Sequence, residues 1–278
     1  MSTLLAGLFD DAAVFPPGSA TLPAAVTAHR ELRRSPYALA VGPLLLRADQ
    51  VAELVAEVRA GDDLRVGLIA SAEGGLLELA YARDVLLDLD DAAALTQVEI
   101  ALPGEHDPAA AARLLLDGLA FSAQAYVEIP RGDGWEGALD VLAADGVERA
   151  KFRTGGTTSD AHPSEQELAS FIGACVDRAL AFKLTAGLHH AVRRTSDEGF
   201  EQHGILNVMV AVSAAQDGAG TGDVTAILAT RQPEPLVEWL GQADHRRLRR
   251  ALVSVGCCGV TEPLDELAAL GLNVAEDT

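Results

Sequence analysis

The sequence predicts a single α/β domain over residues 1–278, a (β/α)8 TIM-type barrel with an enlarged segment between its seventh and eighth strands. Three observations carry this expectation. Short apolar runs alternate with segments of helical periodicity, without a Gly/Ser/Pro-rich linker, and that alternation implies a parallel sheet. Eight strands and at least eight helices are counted in 278 residues, where a barrel of this kind takes about 250. The main competitor, an open doubly wound sheet, usually shows an early glycine-rich strand-to-helix turn. The first strands here lack one.

The elements follow in order. Leu4–Phe9 is apolar and ends in Asp10-Asp11. The turn Phe15-Pro16-Pro17-Gly18 leads to a helix over Leu22–Arg34, with Thr21 as cap and Pro23 in its first turn. Ala38–Leu46 reads as a strand. Ala48–Arg59 has Val51, Leu54, Val55 and Val58 at helical spacing. Strands at Leu64–Ala70, Gln97–Leu102, Gln124–Ile129 and Arg149–Arg153 alternate with helices at Leu76–Leu87, Pro108–Leu119 and Trp135–Ala144. The helix Ser164–Ala179 opens with Ser164 and Glu167, the spacing of a capping box. Ala181–Thr185 is the seventh strand. The interval before the eighth, Ala251–Val255, holds helices at about Gly204–Gln216, Val224–Ala229, Pro235–Gly241 and Asp244–Arg250. Within it, Ile205–Val212 also fits a buried strand. Thr261–Leu270 closes the chain as a helix.

Composition narrows the function. Apolar residues make up 49% and charged residues 22%, ordinary values for a globular domain. Asp plus Glu is 41 against 21 Lys plus Arg, a net charge of −20. Nucleic-acid and anionic-membrane partners, which need a basic face, are not expected. No apolar stretch approaches the ~20 residues of a membrane span. No Arg/Lys-led apolar run opens the chain, so no secretory signal is expected. The three cysteines Cys175, Cys257 and Cys258 fit no disulfide framework, and the expected compartment is the cytoplasm. A homo-oligomer is compatible with all of this.

One count points at chemistry. Of the 21 basic residues only two are Lys, Lys151 and Lys183. In an Arg-rich chain, a retained Lys marks a place where a guanidinium cannot serve, because only the amine can lose its proton. The sixth strand reads Ala-Lys151-Phe-Arg153-Thr-Gly155-Gly156, the seventh Phe-Lys183-Leu-Thr185-Ala-Gly. Each Lys precedes a Gly by four residues, so the two share a register. Alternation sets Lys151 with Arg153, and Lys183 with Thr185, on the inward face. Adjacent strands lie ~4.8 Å apart. Two neighbouring ammonium groups should lower one pKa and free an amine for imine formation. Alternatively the lysines pair with barrel carboxylates such as Glu99 and Glu128.

These two strand motifs resemble those of class I aldolases of the deoxyribose-phosphate aldolase type, barrels with K-x-x-x-G on strands six and seven. The resemblance implies Lys151 as the Schiff-base lysine and Lys183 as the residue that tunes it. The family's last strand leads into a Gly-x-Ser phosphate turn; Ser254-Val255-Gly256-Cys257-Cys258-Gly259 stands there in this chain. Glu99 is the nearest match to the family's strand-four Asp, and Leu188-His189-His190 has no counterpart. The resemblance is confined to these short motifs.

Further candidates surround the lysines. His189, His190 and His203 cluster after strand seven. They lack H-E-x-x-H and H-x-H spacings and fit proton transfer better than metal binding. One of the adjacent pair is expected to face the pocket, with His203 and Asn207 nearby. His29, His106, His162 and His245 carry no signal. Asp10 and Asp11 end the first strand and Glu128 the fifth. Arg153 with Gly155-Gly156 reads as a grip for an anion, through a guanidinium fork and free N–H groups. Lys151, Lys183, Glu128, His189 and His190 are thus the catalytic candidates. Asp10, Asp11, Glu99, Arg153, Gly155, Gly156, Thr185, His203, Asn207 and Gly256 are the substrate-binding ones. No metal or cofactor is required. The expected partner is a small anionic carbonyl metabolite, cleaved by a lysine Schiff-base lyase. Two alternatives stand: a hydrolase or isomerase on the same barrel, metal-dependent or cofactor-free, and a non-catalytic barrel that binds an anionic metabolite.

Overall fold

The computed structural model describes residues 2–71, 74–103 and 107–272. Eight parallel strands close into a barrel: β1 (Phe9–Asp11), β2 (Val41–Arg47), β3 (Leu64–Ile69), β4 (Ala93–Ala101), β5 (Gln124–Glu128), β6 (Arg149–Arg153), β7 (Phe182–Thr185) and, after a short antiparallel hairpin of β8 (Arg194–Thr195) and β9 (Glu201–Gln202), β10 (Leu252–Cys257). Strand β10 pairs with both β1 and β7 and so closes the ring. Lys151 stands directly opposite Lys183 in the β6–β7 register, as the sequence spacing requires.

Barrel interiors are usually filled by branched aliphatic side chains. Here the inward positions carry Asp10, Gln97, Glu99, Tyr126, Lys151, Lys183 and Ser254 beside the apolar Leu45, and most of the apolar burial lies in the strand–helix layer. Phe152 stacks on Phe171 of the helix Glu165–Asp177 at 4.5 Å between centroids, and Phe171 meets Phe182 edge-on at 5.4 Å. Leu184 and Val255 are likewise buried in this layer. Two inward glycines make room for the polar interior. A Cβ on Gly42 would lie 2.3 Å from the Asp10 carboxylate, and one on Gly67 would lie 2.8 Å from Gln97 Cγ.

Helix ends follow local chemistry. Ser164 and Glu167 form the reciprocal capping box. Asp107 caps the helix Pro108–Gly118 by accepting from the N–H groups of Ala109 and Ala110. Thr21 is the N-cap of the helix Leu22–Leu32 but makes no side-chain cap bond, and Pro23 stands at the second position of the helix. A G-x-G-x-x-G spacing does occur later in the chain, from Gly132 in the loop after β5 to Gly137 in the first turn of the helix Trp135–Asp145. It serves packing: Gly134 caps the helix at φ +79°, and a Cβ on Gly137 would press on Ala109 at 3.2 Å.

The expected first strand is shorter than its apolar run. Leu4 and Leu5 belong to a helix, Ser2–Leu5, and the strand begins at Phe9. Ala38–Ala40 forms a 3-10 turn ahead of β2, and β4 begins four residues earlier than its apolar run suggests. His106 lies outside the described residues.

Beyond the β8–β9 hairpin the enlarged segment after β7 is helical, and Ile205–Gln216 is a helix, not a strand. All of Ile205–Ala214 is buried, because neighbouring helices at Glu165–Asp177, Thr221–Ala229, Pro233–Gln242 and His245–Ala251 cover it. A helix apolar all round has no amphipathic stripe, hence the ambiguity in its sequence. Asn207 is the polar pin of this bundle. Its amide donates to the carbonyls of Ile227 (2.9 Å) and Thr230 (2.7 Å) and accepts from Arg193 N–H (2.9 Å). Asn207 is therefore structural, not part of a substrate site as the sequence suggested. Replacing it by Leu strands buried backbone groups at about 1–3 kcal/mol each. Urea unfolding of Asn207→Leu should show a midpoint well below wild type; an unchanged midpoint would contradict this role.

Candidate active site

The inward charges form one continuous chain. Lys183 reaches Asp10 and, at 2.6 Å, Glu99 Oε1. The second Glu99 oxygen lies 2.6 Å from Lys151 Nζ. Lys151 contacts Glu128 Oε2 at 2.8 Å, and Glu128 Oε1 accepts from Arg153 Nε at 3.0 Å. Three cations thus alternate with three carboxylates from Arg153 to Asp10. Gln97 donates to Asp10 (3.0 Å) and to Glu99 (3.1 Å), and Ser254 donates to Asp10 (2.9 Å). The Lys183 ammonium also sits 5.0 Å from the centroid of the Tyr126 ring. The sequence reading missed Gln97, Ser254 and Tyr126. The signal was available, since each alternates in register with a residue already singled out.

This network corrects the expectation that one lysine is deprotonated. Burial alone would lower the Lys151 amine, but the Glu128 and Glu99 carboxylates outweigh it and raise its pKa. Lys183 is raised for the same reason, with Asp10 and Glu99 outweighing its burial. The two amines do not meet as bare like charges, because Glu99 stands between them. Burial also opposes ionisation of Glu99, yet the two lysines hold its carboxyl down at about 2. Glu128 is likewise lowered, by Lys151 and then Arg153 against its burial.

A cavity of about 300 Å³ opens above this chain at the C-terminal ends of the strands, where barrel enzymes bind substrate. Lys151 reaches its floor although only 2% of the residue is exposed, and Arg153, Thr185 and Gly256 line it. Lys183, Asp10 and Glu99 do not line it; they lie buried beneath. Of the charged candidates Lys151, Arg153, Lys183, Glu128 and Asp10, only Lys151 and Arg153 line the cavity, and the other three join them as a connected stack. Phe15 and Pro16, from the loop after β1, form an apolar wall with Leu45 and Ile69. Gly156, Thr157 and Thr158 form the opposite wall beside Arg153.

Three other candidates sit elsewhere than expected, and of the adjacent histidines one faces the cavity, as expected. Asp11 faces the helix layer, where its carboxylate bonds His29 Nδ1 at 2.9 Å and the Ala13 N–H at 3.1 Å. It anchors the loop that carries Phe15. Gly155 packs against Gly187, with room for no Cβ closer than 3.1 Å, and serves the β6–β7 turn. His203 is buried against the Pro163 carbonyl at 2.9 Å. His190 turns away to Glu266 at 2.8 Å. His189 does face the cavity, and burial lowers its pKa, so the ring is neutral near pH 7. It lies 3.5 Å from the Cys257 sulfur and 3.7 Å from that of Cys258, which also lines the cavity. Burial pushes the Cys257 thiol up to about 12. His189 and Cys258 also border a second cavity of about 410 Å³ beneath the β8–β9 hairpin. Among the described residues, no group of three or more His, Cys, Asp or Glu side chains is placed to hold a metal ion. Nor is any helix among them long and apolar enough to cross a membrane.

Comparison with protein-family models, with curated proteins and with solved structures finds no match to this chain.

The charge stack should set the acid stability. Glu99 has a folded pKa below its unfolded value of 4.5, so its contribution is complete above about pH 4.5 and fades as pH falls through about 2. At the alkaline end the raised lysines stabilise fully below 10.5, and that contribution is lost as pH rises through their higher folded values. Glu99→Gln leaves two buried ammonium groups short of a partner and should cost about 3–5 kcal/mol. Denaturant unfolding at pH 7 and pH 3 checks both. The gap between wild type and Glu99→Gln should be narrower at pH 3.

Proposed function

We propose that the protein is an enzyme that forms an imine between Lys151 and a small anionic carbonyl compound, in an aldolase-like carbon–carbon lyase reaction. One observation carries this reading. Lys151 is a buried amine that reaches the floor of a cavity and is held between two carboxylates, while Arg153 lines the same cavity. The short resemblance to class I aldolases points the same way.

The carboxylates account for how a protonated lysine reacts. The ammonium lends one proton to Glu128, 2.8 Å away, and the free amine attacks the carbonyl carbon. The carbonyl oxygen takes a second proton from that nitrogen. Glu128 returns the first proton to the resulting hydroxyl, which leaves as water, and the nitrogen keeps its third proton as an iminium. Ammonium and iminium carry the same charge, so Glu99 and Glu128 balance the product as they balance the resting state. The iminium then draws in the electrons of the Cα–Cβ bond while a base takes the β-hydroxyl proton, so that an aldehyde leaves and an enamine remains, which takes a proton at Cα and is hydrolysed to free Lys151. Glu128 and the neutral His189 are the groups beside the cavity able to move the remaining protons. Lys183 holds Glu99 in place beneath.

Incubation with an aldehyde and cyanoborohydride should leave a reduced adduct on Lys151, located by peptide mass spectrometry. Lys151→Arg keeps the positive charge but forms no imine, so labelling should vanish. Glu128→Gln should slow trapping by about 10²–10⁴-fold, the usual contribution of a positioned base. Turnover of a substrate by Lys151→Arg would rule the mechanism out.

A further inference from the structure

The carboxylate that must accept the Lys151 proton is shared. Glu128 Oε1 accepts from Arg153 Nε at 3.0 Å, and Oε2 faces Lys151 Nζ at 2.8 Å while also accepting a longer contact from Arg153 Nη2 at 3.5 Å. The three groups differ in exposure. The side chains of Lys151 and Glu128 are 3% and 16% exposed, whereas that of Arg153 is 47% exposed. Arg153 and Lys151 line the same cavity, while Glu128 does not. An anion entering from the mouth therefore reaches the guanidinium before it reaches the ion pair behind it. The wall beside Arg153, Gly156-Thr157-Thr158, adds hydroxyl donors for further anionic oxygens.

We propose that Arg153 makes the lysine responsive to its substrate: an oxyanion on the carbonyl compound draws the guanidinium away from Glu128, and the released carboxylate takes the proton of Lys151. This rests on the imine reading and adds to it a specificity device. In the resting protein, Glu128 is doubly paired and a poor base. Loss of a neighbouring positive charge within about 4–6 Å raises a carboxyl pKa by about 1–3 units. With the anion seated, passing the Lys151 proton to Glu128 is less uphill and the free amine is reached more often, whereas a neutral aldehyde meets an ammonium whose acceptor is still held by Arg153. Arg153 is then a positioning residue that acts through Glu128. Residues 151 and 153 are two positions apart on one strand, about 6.6 Å. The matching compound carries its oxyanion a few atoms from the carbonyl carbon.

The experiment compares three probes on wild type and on Arg153→Gln: propionaldehyde, which is neutral, succinic semialdehyde, which carries a carboxylate, and glycolaldehyde phosphate. The readout is the rate of cyanoborohydride trapping on Lys151 as a function of pH. In wild type, one or both anionic probes should trap at least tenfold faster than propionaldehyde, and their order tells a carboxylate from a phosphate preference. In Arg153→Gln that advantage should disappear. Trapping of propionaldehyde should rise by about tenfold or more, because Glu128 is freed permanently. The acid limb of its pH profile should move upward with the carboxyl. An arginine that merely binds the anion would lower the anionic rates and leave both the propionaldehyde rate and its pH profile in place, and that result overturns the proposal. No adduct on Lys151 from any probe refutes the imine reading itself. Adducts from all three at rates that Arg153→Gln does not reorder refute the trigger alone.

Discussion

Six charges along one line through the barrel have to be satisfied together. Each ion taken from water costs several kcal/mol, and mutual attraction offsets this only with good geometry and saturated hydrogen bonding. The alternation Arg153, Glu128, Lys151, Glu99, Lys183, Asp10 meets the charge side of that condition by giving each inner member two opposite neighbours, while Glu99 Oε2 faces Lys151 at ion-pair distance without an aligned hydrogen bond. Gln97 and Ser254 take up remaining acceptor capacity on Asp10 and Glu99. The rest of the architecture accommodates the line. Gly42 and Gly67 withhold side chains where a Cβ would strike Asp10 or Gln97, and most of the apolar core lies outward at the contact between strands and helices.

A stack of balanced charges is a poor place for a spontaneously neutral amine, and a good one for a cation that changes its identity but not its charge. Under the proposed chemistry, the ammonium of Lys151 becomes an iminium between the same two carboxylates. The protein then needs only a transient proton acceptor. The gradient of exposure along the stack fits this. Its deep end, Lys183 with Asp10 and Glu99, is closed to solvent, whereas its upper end, Arg153, meets the cavity.

The walls of the cavity come from loops held by unrelated devices. The Asp11–His29 pair fixes the loop that presents Phe15 and Pro16. Thr154, buried beside Gly155, donates to the Thr185 carbonyl and ties the β6 end to the β7 end. The Ser164–Glu167 capping box sets the start of the helix after β6, and Arg131 ties that helix to the loop after β5 through Glu167 at 3.0 Å. The long segment after β7 contributes His189 near its start and then folds away as a helical bundle around Asn207.

The sequence by itself determined the barrel, because alternating strand and helix periodicities with short connections admit few topologies. It also determined the Lys151–Lys183 register, because spacing from Lys to Gly is the same on both strands and side chains alternate with a period of two. The inward setting of Glu99, Glu128 and Arg153 followed from the same alternation. Tertiary structure alone decided what lies between the lysines. Glu99 is on the fourth strand, and only closure of the ring brings it between amines from the sixth and seventh, turning an expected repulsion into a bridged pair. It alone decided, too, that Asp11 faces outward while Asp10 faces inward, and that His190 leaves the pocket for Glu266. Asn207 and His203 carry polar side chains suited to a site, but packing of the later helices buries both against backbone groups. Residue type and spacing specify direction along a strand; which charges meet across a closed barrel depends on contacts between residues far apart in the chain.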